Sequence, residues 1–450
     1  MPILPLLSRR KVLQATFAGG AGVALGGCDT VVGAFGRKPK PLEGQRYTIL
    51  NETTNQGGQE AVQSAALVLG STQSNEAWTH MGMVPSQAVG HLKLSGDIAL
   101  RWSQDLGRGS RNRQQITAQP LIIGSAIYAM DSSGVLSCLR ISDGAIHWRK
   151  SILPAKEKSA FGGGIVYAQE RIFATNGTNY LLCLNANTGE ILWGAELKGL
   201  ARSAPVAAGG RVFVVTLNNH VQAFDAGNGS ALWHHRGEPS LTRVLAGSGA
   251  AYHDSVLYVS YGSGQLYAFN ARTGRPKWDE VLLPFGVRSA VLSSVTDTGT
   301  APVIDGGVVY LTSASGRTGA YNSLNGQQIW EVAQGGQELP ILTPSHLFFV
   351  SNDAQLVCLD RKNAAQLWRK ALPDYRSQRR RTGYIQWFMP ILANKRLFLT
   401  GSNGDLAVFD PFTGNLLARR NLAKGIAVGP TLAQNTMLII TNDGRLHAYR

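Results

Sequence analysis

The sequence predicts an all-β fold, an eight-bladed β-propeller of four-stranded antiparallel blades closed by pairing of the N- and C-terminal strands in one blade. Three observations carry this expectation. Trp102, Trp148, Trp193, Trp233, Trp278, Trp330 and Trp368 lie 46, 45, 40, 45, 52 and 38 residues apart, a period of the kind found in propellers and solenoids. Between them the chain is cut into short stretches of alternating apolar and polar residues, as half-buried strands require. The 52 glycines against 18 prolines then supply many tight turns between those strands.

In the clearest unit, Pro205 opens a first strand, and Gly209-Gly210 turns the chain into a second that ends at Val215. Val221 to Asp225 is a third strand, and Asn228-Gly229 turns it into a fourth carrying Trp233. Such dipeptides provide the positive φ angles that hairpins need. The order recurs from Pro120, Val166, Ala250, Pro302, Pro340 and Pro390, although Ala418 stands where the last of these should carry tryptophan. A final unit starts at Pro430 and stops at Arg450 without its fourth strand, while Asp97 to Trp102 reads as a fourth strand with no preceding three. Joining the two closes a ring and removes the edges of a linear array.

Ahead of the repeats, Arg9, Arg10 and Lys11 precede an apolar run from Ala15 to Leu25. A charged start before a short apolar stretch is an export signal, too short to span a membrane. The pair Arg9-Arg10 resembles the twin-arginine export motif, and Leu25-Gly26-Gly27-Cys28 resembles the bacterial lipobox. The resemblance implies cleavage before Cys28 and acylation there, with several chains giving stable attachment. Residues 1–27 are therefore expected to be a signal peptide, 28–86 a lipid-anchored tether with a short helix over Glu60 to Leu69, and 87–450 the propeller. The expected location is the periplasmic face of the outer membrane. Asp29 resembles an inner-membrane retention signal, which makes the inner membrane the alternative.

The net charge is +15, of which Arg9, Arg10 and Lys11 contribute three. The basic residues are scattered, and no nucleic-acid-binding pattern accompanies them. The densest run, Arg376 to Arg381, is expected to be a solvated loop between strands, with a lipid or partner contact as the alternative. Cys138, Cys183 and Cys358 occupy a third-strand slot that holds Ala223 and Ala268 in other repeats. Equivalent positions in different blades lie too far apart for a disulfide, so these are core thiols. The repeated tryptophans read as packing between blades. His234 and His235 point to opposite faces of a strand and make no metal pair. Three of the four residues Asp131, Asp225, Asp360 and Asp410 lie at a third-strand end beside a turn, where aspartate caps the backbone, and the set forms no acid–base pair. No G-x-S-x-G, P-loop or H-E-x-x-H motif is present, so neither catalytic residues nor a metal or cofactor are expected.

The repeat of glycine turn, aromatic strand, Asp/Asn–Thr–Gly turn and tryptophan resembles two families over Trp78 to Arg450. One is the pyrroloquinoline-quinone dehydrogenases. The other is the BamB family of propeller lipoproteins of the outer-membrane β-barrel assembly machinery. The dehydrogenases carry adjacent cysteines, which this chain lacks. The second resemblance implies a non-catalytic scaffold that binds BamA and assists insertion of β-barrel proteins. It also implies partner contacts from Leu200 and Arg202, before Ser203-Ala204-Pro205, and from Asp297, before Pro302. Arg202 lies closer to its Ser-Ala-Pro than the family arginine does, and Asp297 is the one acid present where enterobacterial members have two. A quinone-dependent dehydrogenase, or a scaffold of another envelope complex, are the alternative readings.

Overall fold

The computed structural model describes residues 65–94, 96, 98–111, 114–153, 162–239, 249–282 and 300–450. Arg9, Arg10, Cys28, Asp29 and Asp297 lie outside them, as do residues 60–64 of the expected helix. Residues 65–69 carry no helix.

Eight four-stranded antiparallel sheets form the ring. Blade 1 covers 121–151, blade 2 164–196, blade 3 206–236, blade 4 250–281, blade 5 303–332, blade 6 341–371 and blade 7 391–421. Blade 8 joins Thr431–Ala433, Thr436–Ile440 and Arg445–Tyr449 to Leu100–Asp105. Ala99 and Arg450 exchange both backbone hydrogen bonds at this closure, at 2.9 and 3.0 Å, and Trp102 pairs with Ala448. The first strands of neighbouring blades approach one another and line the axis. The turns between strands 1 and 2, and 3 and 4, lie on one face, called here the turn face. Connections between blades, with the 2–3 turns, lie on the other, the connection face.

The tryptophans staple each blade to the next. The indole Nε1 of Trp148 donates to Ala186 O, that of Trp193 to Ala226 O and that of Trp233 to Ala271 O, at 3.1, 3.3 and 3.0 Å. Each acceptor lies in the 3–4 turn of the following blade, and the ring of the tryptophan covers the glycine of that turn. A Cβ on Gly189, Gly229 or Gly274 would stand within 2.6 Å of the indole, and all three have φ between 71° and 76°. Two independent demands therefore fix glycine there, a left-handed backbone and a ring lying against it. This relation also accounts for Ala418. The blade that follows it is blade 8, whose third and fourth strands come from opposite ends of the chain. No continuous turn exists there for a tryptophan to cover.

The three described cysteines are free and buried, each paired across strands 3 and 4 with its blade's tryptophan, as Cys138 is with Trp148. Burial pushes the thiols of Cys138 and Cys183 up to about 11 and 12, so they stay protonated and inert. The four aspartates are turn caps. Asp225 Oδ1, for example, accepts from the amides of Gly227 and Asn228 at 2.8 and 3.1 Å.

The tether was expected to reach residue 86, but residues 65–94 are packed structure. Trp78 is fully buried, and Leu92 is too. The segment runs around the axis and touches all eight blades. Ala77–Trp78 adds a fifth strand to blade 1. Thr79 O accepts from Tyr167 N in blade 2, Pro85 O from Tyr252 N in blade 4 and Ser86 O from Ile304 N in blade 5, at 2.8 to 3.0 Å. His80 Nε2 stands 3.2 Å from Ala207 O in blade 3. Leu92 exchanges backbone bonds with Leu392 and Asn394 in blade 7, and Asn75 O accepts from Gln434 N in blade 8. Ala65 and Val68 donate to Asp360 and Ser345 in blade 6. Nearly every first strand would otherwise leave a row of unpaired backbone groups on the axis, and this strap satisfies part of that row.

Candidate functional site

Leu200 and Arg202 sit on the connection face, in the segment from blade 2 to blade 3. Its backbone is tightly held. Ala201 is fully buried, its amide donates to Thr178 O, and its carbonyl accepts from Gly177 N. Leu217 N donates to Leu200 O and Gly163 N to Arg202 O, at 2.8 and 3.1 Å. With Ala201 inserted as the anchor, Leu200 is turned outward and is 47% exposed. Arg202 is half-buried, and its Nε is enclosed without a hydrogen-bond partner among the described residues. An exposed leucine held by a rigid backbone offers a partner an apolar contact, and arginine beside it is among the side chains that contribute most at protein interfaces.

The second segment singled out by sequence is described only from Thr300. Its described end is built like the first. Ala204 and Ala301 each lie against a glycine of the preceding blade, so that a Cβ on Gly164 or Gly249 would come within 2.5 Å of them. The two segments thus hold equivalent positions, two blades apart on one face. Asp297 itself lies outside the described residues.

Two features of this face were missed by sequence reasoning. The Arg376 to Arg381 run is not a plain loop. Tyr375–Ser377 pairs with Thr382–Tyr384 in a separate two-stranded hairpin, placing Arg379, Arg380 and Arg381 at its exposed tip. Alternation around Tyr375 and Tyr384 and the glycine at 383 were the available signals. The other feature is Glu338, which leads into blade 6 and reaches toward blade 7. Its carboxylate accepts from Gln386 Nε2 and Met389 N at 3.3 and 3.2 Å, and burial pushes it up to about 7. A lone glutamate in a loop offers no such signal in sequence.

His234 and His235 face opposite sides of their strand. His235 packs against Tyr267 and Phe269, with ring centroids 5.0 and 4.8 Å away, while His234 lies on the opposite side near His220. Among the described residues, no group of three His, Cys, Asp or Glu side chains is placed to hold a metal ion.

These features define an eight-bladed propeller of pyrroloquinoline-quinone-like repeats that presents its connecting segments on one face. Comparison with known proteins narrows the class. The family described as outer membrane protein assembly factor BamB matches residues 132–370, more than half of the chain, and the chain belongs to that family. It is 25% identical to BamB of Burkholderia pseudomallei, over 79% of this chain and 88% of that protein. It is 26% identical to BamB of Legionella pneumophila, over 78% and 87%. An uncharacterized protein of Rickettsia prowazekii is 27% identical over 55% of this chain, which spans 60% of that relative's length. The crystal structure of BamB from Moraxella catarrhalis superposes with a TM-score of 0.67 at 17% identity, covering 79% of this chain and all of the other. A europium-containing methanol dehydrogenase superposes with a TM-score of 0.64 at 14% identity, covering 81% and 89%. At such identities these two likenesses concern the fold alone.

Proposed function

We propose that this protein is a non-catalytic scaffold lipoprotein on the periplasmic face of the outer membrane, which binds BamA and assists insertion of β-barrel proteins. Family membership supports the assembly role, and the observation that carries the binding reading is Leu200, held outward on a rigid backbone beside Arg202. A hydrophobic anchor with an adjacent cation suits a partner surface of matching shape and charge. Asp297 belongs to the same reading as a further contact. Arg9 and Arg10 serve export, and Cys28 carries the lipid.

Affinity purification of the tagged protein from detergent-solubilised envelopes tests this. Recovery of BamA is expected, and Leu200→Asp with Arg202→Glu should reduce it at least tenfold while leaving the fold intact. Absence of BamA from the wild-type eluate would remove the reading. Cys28→Ala is expected to release the protein from membranes, as read by fractionation. Fractionation of the wild type also separates the outer membrane from the inner-membrane location that Asp29 suggests.

A further inference from the structure

We infer that the arginine hairpin and the cleft beside it form a second docking site, across the ring from Leu200, for an acidic polypeptide segment carrying one apolar anchor side chain. Three observations meet there. The first is charge. Arg376, Arg379, Arg380 and Arg381 are exposed, and none of them forms an ion pair among the described residues. Lys424 is exposed beside them, its carbonyl accepting from Arg376 Nη2 at 3.4 Å. Like charges held together repel in the free protein, and a carboxylate-rich ligand relieves that repulsion while matching the planar guanidinium forks.

The second observation is rigidity. The hairpin is braced at its base by Trp387 Nε1 donating to Pro373 O and Ile385 N donating to Asp374 O, both at 2.8 Å. Arg376 also reaches Ser402 O in blade 7 at 3.3 Å. Arg381 lies over the Tyr375 ring at 5.6 Å, and Tyr384 meets that ring edge-on at 6.1 Å. A braced stem orders its arginines before binding, which lowers the entropy lost on association.

The third is the cleft of about 220 Å³ that opens between blades 6 and 7. Leu372 and Pro373 in its wall lead into the hairpin, and Trp387 follows it. Phe409 and Leu416 supply further apolar lining, and Arg419, ion-paired to Asp405, borders it. The volume lies below that of typical small-molecule pockets and suits a single inserted side chain. Arginine and exposed tyrosine around an apolar slot make up the usual composition of a protein-binding hot spot. A slot sized for one side chain, ringed by guanidinium groups and an exposed tyrosine, favours a polypeptide over a bilayer.

The test uses the full-length protein in detergent and a fluorescent peptide with one tryptophan flanked by glutamates. Saturable binding is expected, weakened at least tenfold when the three tip arginines are changed together to glutamine, and also by Leu416→Glu at the cleft wall. Exchanging the peptide's tryptophan for alanine, or its glutamates for lysines, should abolish binding. Unchanged circular dichroism and melting of the variants would exclude misfolding as the cause. Binding that ignores both variants, or no binding at all, overturns the inference. So does arginine-dependent binding to phosphatidylglycerol vesicles without peptide binding, which would make the site a lipid contact. This assay contains no BamA, so its outcome is independent of the proposed assembly role.

Discussion

The two faces of the ring are held by different means. On the turn face, the strap of residues 65–94 closes over the first strands, burying Leu69, Trp78, Val89, Leu92 and Leu94. On the connection face, Leu200, Tyr384 and the tip arginines project into water, Leu200 and Tyr384 from bonded backbones. The strap turns these apolar residues inward for closure while Leu200 and Tyr384 stay available, although Val68, Leu324 and Phe412 are exposed on the turn face as well. The difference teaches that side-chain exposure here does not follow from loose backbone, because Leu200 is fixed through its own carbonyl and through both main-chain bonds of its neighbour Ala201.

That contrast can be pressed experimentally. Removing residues 65–94 should have the largest effect. Each fully buried apolar side chain contributes about 1.5–3 kcal/mol, and typical domains have only about 5–15 kcal/mol in total. The shortened chain is therefore expected to aggregate or to lose its cooperative melting transition. A transition within a few degrees of the intact protein would show that the strap is decoration. Within the strap, Trp78→Ala should cost about 3–5 kcal/mol, measured as a fall in the urea midpoint at constant slope.

Acid sensitivity offers a second contrast. His80 is buried in the strap, and desolvation lowers it from 6.5 to about 3. Its folded value is depressed, so the unfolded state binds the proton first as pH falls below 6.5. Stability is then lost between about 6.5 and 3, by up to about 1.4 kcal/mol per pH unit. His80→Gln should flatten the stability profile across that window, and an unaltered slope would place the acid sensitivity elsewhere. The smallest effects belong to the connection face. Leu200→Ala, or glutamine at positions 379 to 381, should change unfolding free energy by no more than about 0.5 kcal/mol. A larger loss would mean that this face, too, is part of the core.

Much of the ring was legible because each repeat writes the same physical demands. The tryptophan, the tight turn it covers, glycine-bearing in most blades, and the small residue opposite it recur together, so periodicity alone gives blade number and closure. The absent tryptophan at Ala418 looks like drift in the sequence. It becomes intelligible only when the ring is closed and blade 8 is seen to lack a continuous 3–4 turn. The strap was illegible for the opposite reason. It is a single copy, its apolar residues are spaced by contacts with eight different strands, and no helical or strand period survives. Of the residues proposed to bind a partner, Leu200 and Arg202 were singled out by resemblance. The hairpin and Glu338 depend on neighbours distant in sequence, which composition does not reveal.

The strap also changes the statistics of unfolding. In a repeat array each unit contacts only its neighbours, so units can open in succession and stability behaves as a one-dimensional sum. Here a single segment is bonded to every blade. Opening any one blade strains a connection shared by the other seven. A chain of local equilibria is thereby joined through a common hub, and the ring is expected to melt as one body, without partly opened intermediates.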